Sequence, residues 1–455
     1  MGRKLIIALA ILSFALMGTT FAAVENIKVS GDITTGAVSR DLTLGNKNAN
    51  NTDPESDQFL FSQIRLRFDA DLTEGVSATF RLINERIWGG ATSGTISDNE
   101  VGQGNTDLNL DLAYVELKEF LYDPLTLVVG RQEIRFGNAL IIGDVDTNRR
   151  ASNSNVPVGL RDLSLRKSFD AVRGILDFAP WTVDLIYAKV EETAIAQDDD
   201  VTIIGANAAY DWSSYNGVTE IYGLYVGKTP GIDPATNDSE SKIYVIGARA
   251  QADVTDKLTV GLESAYQFGN YNVAINQDRQ LSAYAAQLIG EYRLLDDKNT
   301  KFGLNYTYLS GNNSTESNSA FNGWDPLFED QSPGEVLNIL FPNTNMQYLK
   351  ASVSTMPRED VTLGLSYVYA LLATDNAATT LAVANSSAAG SGTIRLNTND
   401  GDDDRDIGGE LDVFGIYDYT EDVQLSLVGG FFNPGKLFMD DNVAYSVRAG
   451  INVGF

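Results

Sequence analysis

From Asn26 to Phe455 the chain divides into extended segments whose connections alternate, short then long, without a break. The short ones are LTEG at 72–75, YDP at 122–124, APW at 179–181, SSYNG at 213–217, TDK at 255–257, LDDKN at 295–299, PRED at 357–360 and YTED at 419–422. The long ones lie at 40–58, 91–106, 136–166, 191–201, 228–240, 270–279, 311–345, 373–405 and 434–442. Eighteen segments separate them, the first at 26–39 and the last at 443–455. Eight short and nine long connections are what eighteen antiparallel strands need to close into a barrel with both termini on the short-turn side. A soluble sandwich has no reason to gather every long loop at one end.

The segments themselves have period two. In KFGLNYTY, Phe302, Leu304, Tyr306 and Tyr308 face one way and Lys301, Gly303, Asn305 and Thr307 the other. In KLTVGLESAYQF, Leu258, Val260, Leu262, Tyr266 and Phe268 oppose Thr259, Gly261, Glu263 and Gln267. The chain ends the same way, in AYSVRAGINVGF, with Tyr445, Val447, Ala449, Ile451, Val453 and Phe455 on one face. Apolar faces on single strands, with charges opposite, suit a barrel turned inside out: lipid outside, water within. Closure pairs every backbone group, which lipid demands. The expected fold is all-β, a transmembrane antiparallel β-barrel of about 18 strands, with short periplasmic turns and long extracellular loops. A secreted β-helix or sandwich is the competing reading. The terminal Phe455 resembles the C-terminal aromatic of bacterial outer-membrane proteins.

The N-terminus fits that destination. Arg3 and Lys4 precede an apolar run from Leu5 to Met17, and small residues follow around Ala22. This reads as a secretory signal peptide over 1–22, leaving a single barrel domain at 23–455. A membrane-anchor helix is the alternative, but the run is short for a span. The sequence contains no Cys and no His. Disulfides, His-dependent triads, His metal ligands and imidazole acid–base chemistry are therefore excluded. An enzyme built on Asp and Glu alone stays open, but no enzyme is expected, nor a cofactor, nor a metal site. A formal charge of −28 disfavours nucleic acid as a partner.

Four stretches are similar to the alginate-export family of outer-membrane barrels: VVGRQEIRFGNALIIGD at 128–144, RKSFDAVRGILDF at 166–178, FNGWDPLFED at 321–330 and GGELDVFGIYDYTEDVQLSLVGGFFNPG at 408–435. The resemblance implies an eighteen-stranded porin in the bacterial outer membrane that passes an anionic polysaccharide or small anions, without implying alginate here. Its expected partners are outer-membrane lipid, lipopolysaccharide and an anionic or neutral hydrophilic solute, and a monomer is expected.

Transport through such a pore rests on electrostatics and diameter. Arginine suits carboxylate solutes because its fork binds bidentately. The pore-lining candidates are Arg65, Arg67, Arg81, Arg131, Glu133, Arg135, Arg166, Arg173, Glu410 and Asp412, of which Arg131, Arg166 and Arg173 fall on motif positions. Arg249, Arg293, Lys301, Lys350 and Arg448 face the lumen by parity. Arg131 shares parity with the apolar Leu125, Leu127 and Val129, so its lumen placement requires a bulge. Glu410 and Asp412 are expected to anchor a basic cluster. The competing role for any of these arginines is to pair with a lumen acid. Phe321, Trp324, Leu327, Phe328, Val336, Leu337, Ile339, Leu340 and Phe341 in the loop at 311–345 need burial, so that loop is expected to fold against the barrel and narrow it. The acidic runs at 191–200 and 399–406 are expected to be solvated, or to bridge cations to lipopolysaccharide phosphates. The expected function is passive diffusion of hydrophilic, anionic solutes through an Arg-lined lumen. A general, weakly selective porin and a loop-plugged surface anchor or adhesin are the alternatives.

Overall fold

A computed structural model describes residues 26–42, 44, 57–88, 108–145, 162–191, 201–228, 241–272, 278–312, 320–374, 405–438 and 442–455. The proposed signal peptide and both acidic runs, apart from their edges, lie outside them. The strands are β1 (Asn26–Asp41), β2 (Asp57–Thr73), β3 (Val76–Ile87), β4 (Asn109–Leu117), β5 (Leu125–Glu133), β6 (Ser168–Asp177), β7 (Trp181–Glu191), β8 (Val201–Trp212) and β9 (Gly217–Lys228). They continue as β10 (Ser241–Thr255), β11 (Leu258–Asn272), β12 (Asp278–Arg293), β13 (Lys301–Leu309), β14 (Met346–Arg358), β15 (Val361–Leu372), β16 (Asp406–Asp418), β17 (Val423–Pro434) and β18 (Ala444–Gly454). Each strand pairs antiparallel with its neighbours in sequence. β1 also pairs with β18, from Asp32↔Gly454 to Asp41↔Tyr445, so the 18-stranded sheet closes on itself. At the seam Gly31 and Phe455 exchange backbone hydrogen bonds of 2.9 and 3.0 Å. The alternation of short and long connections read in the sequence matches this closed meander.

Closure sorts side chains by parity. On β11, Leu262 is 55% exposed while Glu263, next along, is 2% exposed. The outward positions of β13 and β15 carry Phe302, Leu304, Tyr306, Leu363, Leu365, Tyr367 and Tyr369, all exposed. On a soluble protein this apolar belt would be a liability; on a membrane barrel it is the lipid contact. Aromatic side chains gather at both ends of it. Trp181, Tyr210 and Trp212 stack edge to face near the short turns, and Tyr225, Tyr244 and Phe268 make a row nearer the long loops. Such rings sit well at a membrane–water boundary.

The two faces should respond differently to charge. Leu262→Arg puts a guanidinium mid-strand on the lipid side and should cost about 2–4 kcal/mol. Thr259→Arg, on the inward face, should cost far less. Denaturant titration of folding into lipid vesicles, read by the mobility shift of folded against heated barrel, would check the contrast.

Candidate functional site

The lumen is not an open tube at its long-loop end. Segments 134–145 and 320–345 turn inward and pack on each other: Phe328 N–H donates to Ile141 O at 2.9 Å, and Asp330 N–H to Ala139 O at 2.9 Å. Together they bury Ile134, Phe136, Leu140, Ile141, Ile142, Trp324, Leu327 and Phe328 against inward side chains of β6 to β13, among them Phe169, Ile186, Ile203, Val226, Ile243 and Ala283. Farther along, Val336, Leu337, Leu340 and Phe341 pack beside Tyr348, Val368 and Phe432 from β14, β15 and β17. The expectation that 311–345 folds inward holds for its described part. The partnership of 134–145 was not expected, although its run Ile134, Phe136, Ala139, Leu140, Ile141, Ile142 carries the same need for burial.

Wall carboxylates and amides hold these loops. Glu410 accepts the N–H groups of Val336 at 2.6 Å and Leu337 at 2.7 Å. Asp412 accepts from Glu335 N–H and from the Ser366 hydroxyl at 3.1 Å. Glu263 accepts Asn138 N–H at 2.7 Å and Tyr222 Oη–H at 2.7 Å. Gly137, at φ +58°, lets the turn press onto Glu263, where a Cβ would collide with the carboxylate. Gln267 and Asp325 exchange side-chain and backbone hydrogen bonds of 2.6 and 2.9 Å. Cations complete the clasp: Lys228 on Asp325 at 2.7 Å, Lys167 and Arg135 on Asp330 at 2.7 and 3.1 Å, and Arg448 on Glu335 at 3.7 Å. Burial pushes the Glu335 carboxyl up, and the charge of Arg448 opposes it.

Under the apolar plug runs a polar tier. Arg173 binds Asp184 on β7 at 2.8 Å, Arg249 binds Glu220 at 2.6 Å, and Gln287 accepts from Asn138 at 2.5 Å. From there toward the short turns the inward positions are mainly polar, with apolar exceptions such as Ile175 and Phe414. On β2 and β3 they include Arg65, paired with Asp32 at 2.9 Å, and Arg67, paired with Asp69 at 2.8 Å. Arg81 reaches both Asp111 at 2.5 Å and Glu133 at 2.6 Å. Arg67 and Arg81 stand directly opposite each other in the β2–β3 register.

The expected site therefore divides. Arg65, Arg67, Arg81 and Arg173 are inward and each meets an acid. Glu133 is the second acid of Arg81. Arg166 lies in the segment entering β6, 3.9 Å from Glu85, and Arg135 belongs to the inward loop. Glu410 and Asp412 hold loop backbone rather than the basic cluster expected of them. Arg131 departs furthest: its register partners Ala113 and Asp170 share the outward face with Val129 and Val172, so it lies on the outside of the barrel. No bulge intervenes between Val129 and Arg131 in the β5–β6 ladder to turn it inward. Of the further arginines and lysines placed in the lumen by parity, Arg249, Arg293, Lys350 and Arg448 all meet inward partners.

The family model described as "Alginate export" matches residues 40–452. The chain belongs to the alginate export family. No curated protein sequence matches it. In three dimensions it is similar to OccK3 (OpdO) of Pseudomonas aeruginosa, at 10% identity, with 95% of this chain and 97% of that one covered and a TM-score of 0.56. A BenF-like porin from Pseudomonas fluorescens Pf-5 matches at 11% identity, 95% and 99% coverage and a TM-score of 0.54. OccK2 (OpdF) of Pseudomonas aeruginosa, solved in complex with glucuronate, matches at 9% identity, 95% and 98% coverage and a TM-score of 0.54. These likenesses are of fold. Family and architecture together make the protein an outer-membrane channel of the bacterial envelope.

The latch on the second loop can be tested by itself. Glu410→Ala leaves the Val336 and Leu337 N–H groups without their acceptor, a local loss of about 1–3 kcal/mol. Hydrogen exchange at those two amides should accelerate by about tenfold or more, while exchange in the β2–β3 ladder stays unchanged.

Proposed function

We propose that this member of the family lets hydrophilic anionic solutes, carboxylate-bearing sugars among them, diffuse passively across the outer membrane, with no catalytic step. The observation that carries the reading is the Arg67↔Arg81 pair with Arg65 two residues away, all inward on β2 and β3. Like charges directly opposite on a sheet are destabilising. Their placement on the lumen wall makes sense if anions pass there, since guanidinium forks match carboxylates. The bound glucuronate of OccK2 supports a barrel of this shape accommodating a uronate.

A second reading, a general and weakly selective porin, draws on a different observation. Arg65, Arg67, Arg81 and Arg173 each already hold a carboxylate, which neutralises much of their field. The two readings part in a planar bilayer. Under a tenfold KCl gradient the anion reading expects a reversal potential displaced toward that of chloride. Arg65→Ala with Arg67→Ala should move it toward that of potassium. A cation-selective native channel, or a double variant with unchanged selectivity, would favour the general porin.

A further inference from the structure

One outward row near the long-loop end breaks the pattern of the apolar belt. Across β15, β16 and β17 the register sets Tyr369 opposite Gly409, and Gly409 opposite Asn433. The next row toward the short turns holds Tyr367, Leu411 and Phe431, all exposed. The lower row is apolar wall; the upper one is a ring, a gap and an amide. Gly409 is the gap, and the hydroxyl end of the Tyr367 ring leans over it, where a Cβ would collide. After β17 the chain doubles back across the rim. Gly435 N–H donates to Ile407 O at 2.8 Å and Leu437 N–H to Asp406 O at 3.0 Å. Phe438 turns inward onto Phe341 and Phe432, whereas Lys436 is exposed.

These residues frame a cleft of about 520 Å³ on the outer wall, with Tyr367, Tyr369, Asp406, Asn433 and Lys436 among its lining. That is room enough for a small ligand or for part of a larger one. Tyr369 Oη donates to Asp406 Oδ1 at 2.9 Å, which fixes the ring. Asp406 Oδ2, the Tyr367 hydroxyl, the Asn433 amide and the Lys436 ammonium have no hydrogen-bond or ion-pair partner among the described residues. Arg405, beside Asp406, is turned to the Leu372 and Ala373 carbonyls. One carboxylate and one ammonium balance in the cleft, so net charge does not choose its occupant. What it offers is two tyrosine rings with donors and acceptors at their edge. A sugar ring has the matching surface, C–H faces that lie on an aromatic ring and hydroxyls that both donate and accept.

The place of the cleft narrows the choice further. It opens on the lipid side, directly above Leu411 and Phe431, where the belt gives way to the long-loop end. An occupant held there has hydrocarbon below and hydroxyls above. We propose that the cleft binds a sugar ring of an outer-leaflet glycolipid, whose acyl chains lie on Leu411 and Phe431. The site is outside the lumen, so its test does not depend on the solute that the channel passes.

The refolded full-length barrel in detergent can be titrated with lipid A and followed by native mass spectrometry. Separate arms use fully dephosphorylated lipid A, which keeps the sugars, cardiolipin, which has acyl chains and phosphates but no sugar, and the unacylated glucosamine disaccharide. Retention of lipid A is expected, with cardiolipin about fivefold weaker or more and the dephosphorylated form within about twofold of lipid A. Tyr369→Leu with Asn433→Leu keeps the wall apolar and should weaken lipid A about tenfold. Cardiolipin binding, heat-modifiable mobility and single-channel conductance should stay as in the native protein. Asn433→Leu alone, the milder change, should weaken lipid A about threefold. Equal retention of lipid A and cardiolipin would overturn the proposal, as would lipid A binding that neither variant alters. Loss of retention on dephosphorylation would mark a phosphate site instead. Competition by the disaccharide at the concentration of lipid A would mark a site for free saccharide, and either result overturns the proposal too.

Discussion

A backbone amide inside hydrocarbon has no water to bond, so a sheet can enter a membrane only if it has no edges. Everything else in this molecule follows from that demand. The meander must return its last strand to its first, and it does so through β1 and β18, with Phe455 exchanging hydrogen bonds with Gly31 at the seam. Closure then fixes a lipid side and a lumen side for every residue, because a one-residue slip would exchange the two faces of a strand. The exposed Leu262 beside the buried Glu263 is that rule applied to one dipeptide.

Eighteen strands enclose more room than their side chains can fill. The long loops use it. A segment that enters the lumen brings its own amides out of bulk water and needs acceptors for them. The wall supplies these as carboxylates: Glu263 for Asn138, and Glu410 for Val336 and Leu337. Acids that read in sequence as pore charges therefore serve as anchors. The loops also bring apolar side chains, and the wall answers with Ile186, Ile203, Val226 and Ile243 on inward positions. The barrel thus has two interiors, a dry one at the long-loop end and a wet one beneath it.

That division explains which parts of the molecule were legible. Period two and loop length are local, so strand number, direction and closure could be read directly. The facing of a strand could also be read wherever one side was wet, as in KFGLNYTY. On β10 the signal changes partway. Ile243, Tyr244, Val245 and Ile246 are consecutive and apolar, the mark of a strand covered on both faces, whereas Arg249 and Gln251 restore alternation. The switch marks the floor of the plug, and it was present in the sequence without the partner loop that gives it meaning. Arg131 was misplaced for a related reason. Its motif position points to the lumen, whereas the parity it shares with Val129 points outside, and the unbroken ladder follows parity. Partner choice was not legible at all, since the Asp325–Lys228 pair joins residues 97 apart.

Pairing changes what a lumen arginine can do, but does not silence it. A guanidinium has five N–H donors, and one carboxylate engages at most two of them well. Asp69 takes the Nε and Nη2 edge of Arg67, Asp32 takes Nε of Arg65, and Asp184 takes Nε and Nη2 of Arg173. What the acids cancel is the distant field; what survives is a set of oriented donors at contact range. On the proposed reading, such a wall discriminates by shape and hydrogen bonding at close approach rather than by attracting every anion from afar. A carboxylate sugar, which presents both a fork acceptor and hydroxyls, would meet matching groups of each kind in a lumen of mixed Arg and acid pairs, and a bare inorganic anion only the first. Selectivity would then belong to the geometry of the ion pairs, and the strongly acidic total of the chain would say little about it.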